Sequence, residues 1–159
     1  MDEMVNENEI EEIAVDEVQY IVVKLGDEQY GIDISNVDNI VRMQRITRVP
    51  KSQAYYVGVI NLRGEVVPIM SLRRRFDLED DVYQTATRII IIKLEDQSLI
   101  GFIVDEVKEV VNIDPRTIEK PNFKLDEKNA SYLAGIGKKG DSLISLLDIK
   151  AVVEEKKAV

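Results

Sequence analysis

Apolar residues recur along this chain in short runs separated by glycine, proline or clusters of acids. Residues 18–25 (VQYIVVKL) are β-rich and predict a strand. Gly26-Asp27-Glu28 reads as a turn, and 29–32 starts the return strand. Ile34, Val37, Ile40 and Val41 then fall on one helical face, with Asp33 or Ser35 placed to cap, so the pattern predicts a short helix. A strand-like MQRITRVP follows and stops at Pro50. Residues 56–76 (YVGVINLRGEVVPIMSLRRRF) contain two β-rich runs joined at Arg63-Gly64, a hairpin signal, and end in a short basic turn or helix. Residues 77–87 are polar and predict a linker.

The second half opens on 89–94 (IIIIKL), a pattern expected of a strand buried on both faces. A turn at Glu95-Asp96-Gln97 leads to a return strand over 98–104. DEVKEVV (105–111), a proline-broken loop and a polar loop (122–131) follow. Runs at 132–136 and 142–146 flank GKKGD, a second glycine hairpin signal. Asp148 is placed to cap a terminal helix over 149–157.

The two halves repeat one another. Residues 25–34 align with 94–103 after one insertion, and VDNIV (37–41) lies over VKEVV (107–111). Tyr56-Val57-Gly58-Val59 resembles Leu133-Ala134-Gly135-Ile136, Gly64-Glu65 resembles Gly140-Asp141, and Leu72 lies over Ile149. Each unit holds about five short strands, the size of an SH3-like or OB-like barrel. Units that small are marginal alone, so the expectation is two packed across a shared apolar seam, with a groove there.

Composition narrows the chemistry. The chain has 159 residues, 45% of them hydrophobic, enough for a core. It has no histidine and no cysteine, which removes disulfides, thiol nucleophiles, the usual zinc sites and histidine bases. No apolar run approaches the ~20 residues of a membrane helix. The N-terminus has acids where a signal peptide has bases, and zero cysteines fit a reducing compartment, so the expected location is the cytoplasm. The net charge is −9, but residues 1–19 hold eight acids and no base, leaving 22 acids against 21 bases. The first 17 residues read as a solvated acidic arm. Arg42, Arg45, Arg48 and Lys51 form one basic stretch and Arg73–Arg75 another, both without aromatic interleaving, so nucleic acid is not the expected partner.

GDEQYGIDISNVDNIV, YVGVINLRGEVVPIMSLRRRF, GFIVDEV and YLAGIG carry a family resemblance. Over roughly residues 18–155 the chain resembles the CheW family, the coupling proteins of bacterial chemotaxis. It departs at Asn39, where Glu is common in the family, and at Ser71, where Asp is. The resemblance implies an all-β fold of two SH3-like five-stranded barrels packed across a common core with a C-terminal helix, here expected as 18–86 and 87–159. It implies a non-enzymatic scaffold, without cofactor or metal, that couples chemoreceptor cytoplasmic tips to the regulatory domain of the histidine kinase CheA at membrane-associated arrays, without itself inserting into the membrane.

It also implies receptor contacts at Ile34, Val37, Asn39, Ile40, Gly58, Arg63 and Phe102, and kinase contacts at Val107, Val110 and Ile136. From the residues alone, Ile34, Val37 and Ile40 read first as core, and Arg63 as a solvated turn residue. Arg73–Arg75 read as a solvated face or an acidic-partner contact. The alternative of another class is a small β-barrel enzyme or a nucleotide or oligonucleotide binder.

Overall fold

Ile89, Ile90, Ile91 and Ile92 are all fully buried, and they alternate between two cores. The computed structural model in which this is seen describes residues 16–121 and 127–154. Of the expected elements, the first 15 residues of the 1–17 arm, the start of the polar loop and the end of the terminal helix lie outside the described residues.

Ten strands are formed: β1 (Val18–Leu25), β2 (Glu28–Asp33), β3 (Val37–Arg42), β4 (Tyr56–Leu62), β5 (Glu65–Ser71), β6 (Arg88–Lys93), β7 (Leu99–Val104), β8 (Glu106–Ile113), β9 (Leu133–Lys139) and β10 (Ser142–Leu147). The helices are short: α1 (Leu72–Arg75), α2 (Glu127–Ala130) and α3 (Ile149–Val153). The strands make two five-stranded sheets, in the orders β8-β1-β2-β10-β9 and β3-β6-β7-β5-β4. The all-β class is as expected.

Replacing β1–β5 by β6–β10 turns one sheet order into the other, so the repeat read from the sequence is real. The division into 18–86 and 87–159 is corrected, however. The β1–β2 hairpin joins the sheet of β8, β9 and β10, while β6 and β7 join β3, β4 and β5. Each repeat therefore lends its first hairpin to the other. Two parallel pairings make the exchange, β10 to β2 at Ser145–Tyr30 and β5 to β7 at Ile69–Gly101.

One core lies between the sheets. Ile21, Val23 and Ile32 from one sheet meet Ile90, Ile92 and Phe102 from the other. Ile89, Ile91 and Ile103 fill the second sheet's own concavity with Ile60 and Val67. Val22, Val111, Ile113, Ile144 and Leu146 do the same for the first. In both sheets the edge strands are tied by a single bridge through the segment after β3 or β8: Thr47 to Val59, and Glu119 to Ile136. That bridge is all that MQRITRVP contributes to strand structure, a correction to the longer strand expected there.

The expected helix over 34–41 is also corrected. Only Ile34–Asn36 makes a 3-10 turn, with the Asp33 carboxylate accepting from the Ser35 amide as the capping pattern predicts. Val37–Arg42 is strand, paired with β6. Its half-buried positions are Val37, Asn39 and Val41. The apolar Ile40 stands among exposed positions and the polar Asn39 among half-buried ones, which hid the strand period.

A correction of one residue applies to the hairpins. Leu62 pairs with Glu65 and Lys139 with Ser142, so Arg63 corresponds to Gly140 and Gly64 to Asp141.

Candidate functional site

The β4–β5 turn is built from two residues with positive φ, Arg63 at 50° and Gly64 at 85°, the geometry of a type I′ hairpin turn. Asn61 accepts from the Gly64 amide at 3.2 Å and tightens it. An arginine in this left-handed conformation costs about 1 kcal/mol relative to glycine. The other repeat has glycine at this place, with φ 60°. The Arg63 guanidinium reaches the Asp38 carboxylate at 3.9 Å with its side chain 71% exposed. A long, open pair of this kind holds the side chain weakly and leaves its donors free.

Asp38 lies in β3, whose exposed positions are Asp38, Ile40 and Arg42. Ile34 and Ile40 are large hydrophobics left exposed at 37% each. Val37 is half-buried and packs onto the shared core. Arg63 and Ile40 are thus brought to one face of β3 through Asp38, and Ile34 stands in the turn that precedes the strand. Asn39 is half-buried and uses its own side-chain oxygen to accept from the Ile40 amide at 2.8 Å.

Two expected contact residues are not at the surface. Phe102 is 0% exposed and sits in the shared core, because β7 is covered on both faces. Gly58 is buried under the segment after β3. Its φ is 154°, and a Cβ there would fall 2.2 Å from the Thr47 carbonyl oxygen. Thr47 and Val59 exchange hydrogen bonds of 2.8 Å at this crossing, so the backbone has no room to retreat.

On the other sheet, Val107 packs on the shared core as Val37 does, and Val110 is 51% exposed at the place corresponding to Ile40. Ile136 is half-buried and hydrogen-bonded to Glu119. The structure places these three on β8 and β9, on opposite edges of their sheet, apart from Arg63.

Of the three arginines after β5, Arg73 and Arg75 are half-buried and tied within the molecule, which corrects their reading as a solvated or partner-facing group, while Arg74 stays exposed. Arg73 binds Asp105 through Nε at 2.9 Å and Nη2 at 2.5 Å. That guanidinium is the chief cause holding the Asp105 carboxyl below its usual range, aided by the Gly26 amide at 2.7 Å and opposed by burial. Arg74 binds Asp80 and the Ala54 carbonyl. Arg75 donates to the Val152 and Glu154 carbonyls and lies over the rings of Tyr55 and Tyr132. Sequence reasoning missed these pairings, since their partners are up to 79 residues away.

Ser71 caps α1, accepting from the Arg74 amide and donating to Asp81. In the other repeat an aspartate, Asp148, caps α3 directly. The departure at Ser71 is therefore met by a carboxylate supplied from the linker. Burial pushes the Asp81 carboxyl up, against the Ser71 hydrogen bond.

These features define an all-β protein of two interlocked repeats with an exposed apolar edge beside a strained arginine turn. The chain belongs to the family of CheW-like domains, which matches residues 19–157. It is 36% identical over 139 residues to the chemotaxis protein CheW of Helicobacter pylori, covering 87% of this chain and 82% of that relative. To the Bacillus subtilis chemotaxis protein CheW it is 34% identical over 136 residues, covering 86% of each. The scaffolding protein TtCheW from Thermoanaerobacter tengcongensis has the same fold, with a TM-score of 0.82 and 31% identity, over 90% of this chain and 92% of that one. The oligonucleotide-binding alternative is not favoured by these likenesses. No helix among the described residues is long and apolar enough to cross a membrane.

Proposed function

We propose that this protein is a scaffold of bacterial chemotaxis that couples the cytoplasmic tips of chemoreceptors to the histidine kinase CheA and does no chemistry of its own. The observation that carries this reading is the extent of the likeness to chemotaxis proteins, 87% of this chain and 82% of the Helicobacter relative. The function named for the relative belongs to the part that both share.

In this reading the receptor's helical tip meets Ile34, Ile40 and Arg63. Apolar residues on an edge give a helix its anchors, as in helix-in-groove recognition. Arg63 adds directional hydrogen bonds at little entropic cost, because the turn already fixes its backbone. Val37, Asn39, Gly58 and Phe102 shape that edge from beneath. The kinase's regulatory domain meets the other sheet, around Val110, with Val107 and Ile136 supporting it. Two separate surfaces raise the effective concentration of receptor and kinase for each other in a cytoplasmic assembly at the membrane.

The test is co-sedimentation with receptor fragments and the kinase, with kinase activity read in the same samples. Ile40→Asp and Arg63→Glu are expected to lose receptor and keep kinase, and Val110→Asp the reverse. Folded variants that bind both partners as the parent does would sink the site assignment. Absence of any receptor or kinase binding by the parent would sink the function.

A further inference from the structure

Arg42 and Arg88 stand directly opposite one another on β3 and β6. Side chains so placed share one face of the sheet with Cβ atoms roughly 5 Å apart, and two like charges there repel. The pair continues the row in which Ile40 stands opposite Ile90, so it lies on the face that Ile90 turns to the shared core. Neither guanidinium makes an ion pair among the described residues. The acids of the adjoining strands are engaged elsewhere. Asp38, on β3, reaches Arg63. Asp105, which follows the Val104 paired with Arg88, is gripped by Arg73.

Arg88 is half-buried and held in place. Its Nη1 donates to the Thr85 and Thr87 carbonyls at 2.8 and 2.9 Å, which leaves Nε and Nη2 without a hydrogen bond among the described residues. Those two nitrogens form the side of the guanidinium that grips a carboxylate at two points. Arg42 beside it is exposed.

The other repeat fills the equivalent places with neutral groups. Gln19 on β1 stands opposite Asn112 on β8, in the row of the Ile21–Val110 pair that corresponds to Ile90–Ile40. The strand pairing therefore has no need of charge at this position. One copy alone carries a doubly cationic pair at the end of its apolar edge.

We propose that Arg42 and Arg88 together take one carboxylate of the helix that docks on β3, one turn from the apolar residue seated on Ile40. With β3 read as the receptor edge, on which this rests, the receptor tip carries an Asp or Glu three or four residues from its anchor. Two strand residues advance about 6.8 Å and four helical residues about 6 Å, so a helix lying along β3 presents both groups in step. A carboxylate between the guanidiniums cancels a repulsion that the free fold bears. A tip with a base at that place is rejected by the same two charges.

The test gives the pair the residues of its counterpart, in Arg42→Asn/Arg88→Gln, beside Ile40→Asp and the parent. Binding of a soluble chemoreceptor tip fragment is titrated by calorimetry at low and high salt. The double variant is expected to be at least as stable as the parent in denaturant. It is expected to bind the fragment about fivefold more weakly at low salt, and within about twofold of the parent at high salt. In a scan of Asp→Asn and Glu→Gln changes along the fragment, one change is expected to weaken the parent equally and to leave the double variant unaffected. A double variant that binds as the parent does at both salts would overturn the inference, while loss of binding in Ile40→Asp would leave the receptor reading standing. A loss that no acid of the fragment reproduces would overturn it as well. Failure of the parent itself to bind the fragment would remove the receptor reading, and the role of the pair with it.

Discussion

Arg73 and Asp105 join the two sheets. The guanidinium, on the helix that follows β5, grips both carboxylate oxygens at 2.9 and 2.5 Å. The same carboxylate accepts from the Gly26 amide in the turn between β1 and β2. The exchanged hairpin is thereby pinned to the sheet that it left. Asp105→Asn and Arg73→Ala are each expected to cost about 2 kcal/mol, with strong coupling in a double-mutant cycle read by chemical denaturation. The carboxyl is depressed in the folded state, chiefly by the Arg73 hydrogen bond. Its contribution is therefore present above about pH 4 and lost as pH falls through the lowered value. Asp105→Asn is expected to flatten the acid limb of the stability profile.

Asp81 has the opposite sign. Burial raises its folded-state value, so it favours the fold when protonated and opposes it once charged. The stability of Asp81→Asn minus that of the parent is expected to rise between about pH 4 and pH 7. A difference that is flat, or that falls with pH, would contradict the burial inferred for this linker carboxyl.

Gly58→Ala tests the crossing of β4 by the Thr47 segment. A Cβ at 2.2 Å from a backbone oxygen forces one chain to move, so a loss of about 3 kcal/mol is expected. Gly64→Ala shares the positive φ but has open space around it, and about 1 kcal/mol is expected. In a melting series of the two, the excess loss in Gly58→Ala over Gly64→Ala reports the steric crowding.

Phe102→Ala and Ile40→Ala separate core from contact surface. Phe102 is wholly buried, and its truncation is expected to cost about 3–5 kcal/mol. Ile40→Ala is expected to change stability by under about 1 kcal/mol while weakening receptor co-sedimentation. A Phe102→Ala protein that is as stable as the parent would place that side chain outside the core.

The chain by itself determined most of the local structure and the repeat. Strand 89–92, buried on both faces, is visible in four consecutive isoleucines. The Arg63-Gly64 turn, and the caps at Asp33 and Asp148, are local events set by residues a few positions apart. The repeat survives because equivalent strands need equivalent patterns. Tertiary structure alone decided which strands share a sheet. An apolar run asks for a strand partner without saying which one, and the β2–β10 and β5–β7 pairings join distant segments. It also decided that 37–42 is strand: pairing with β6 outweighed a helical spacing too short to sustain a helix in isolation. The same pairing leaves Ile40 exposed near Arg63's partner Asp38, and β7's two covered faces take Phe102 inside. The proposed contact edge is thus a product of strand exchange, which brings Arg63 beside a strand that no local pattern connects to it.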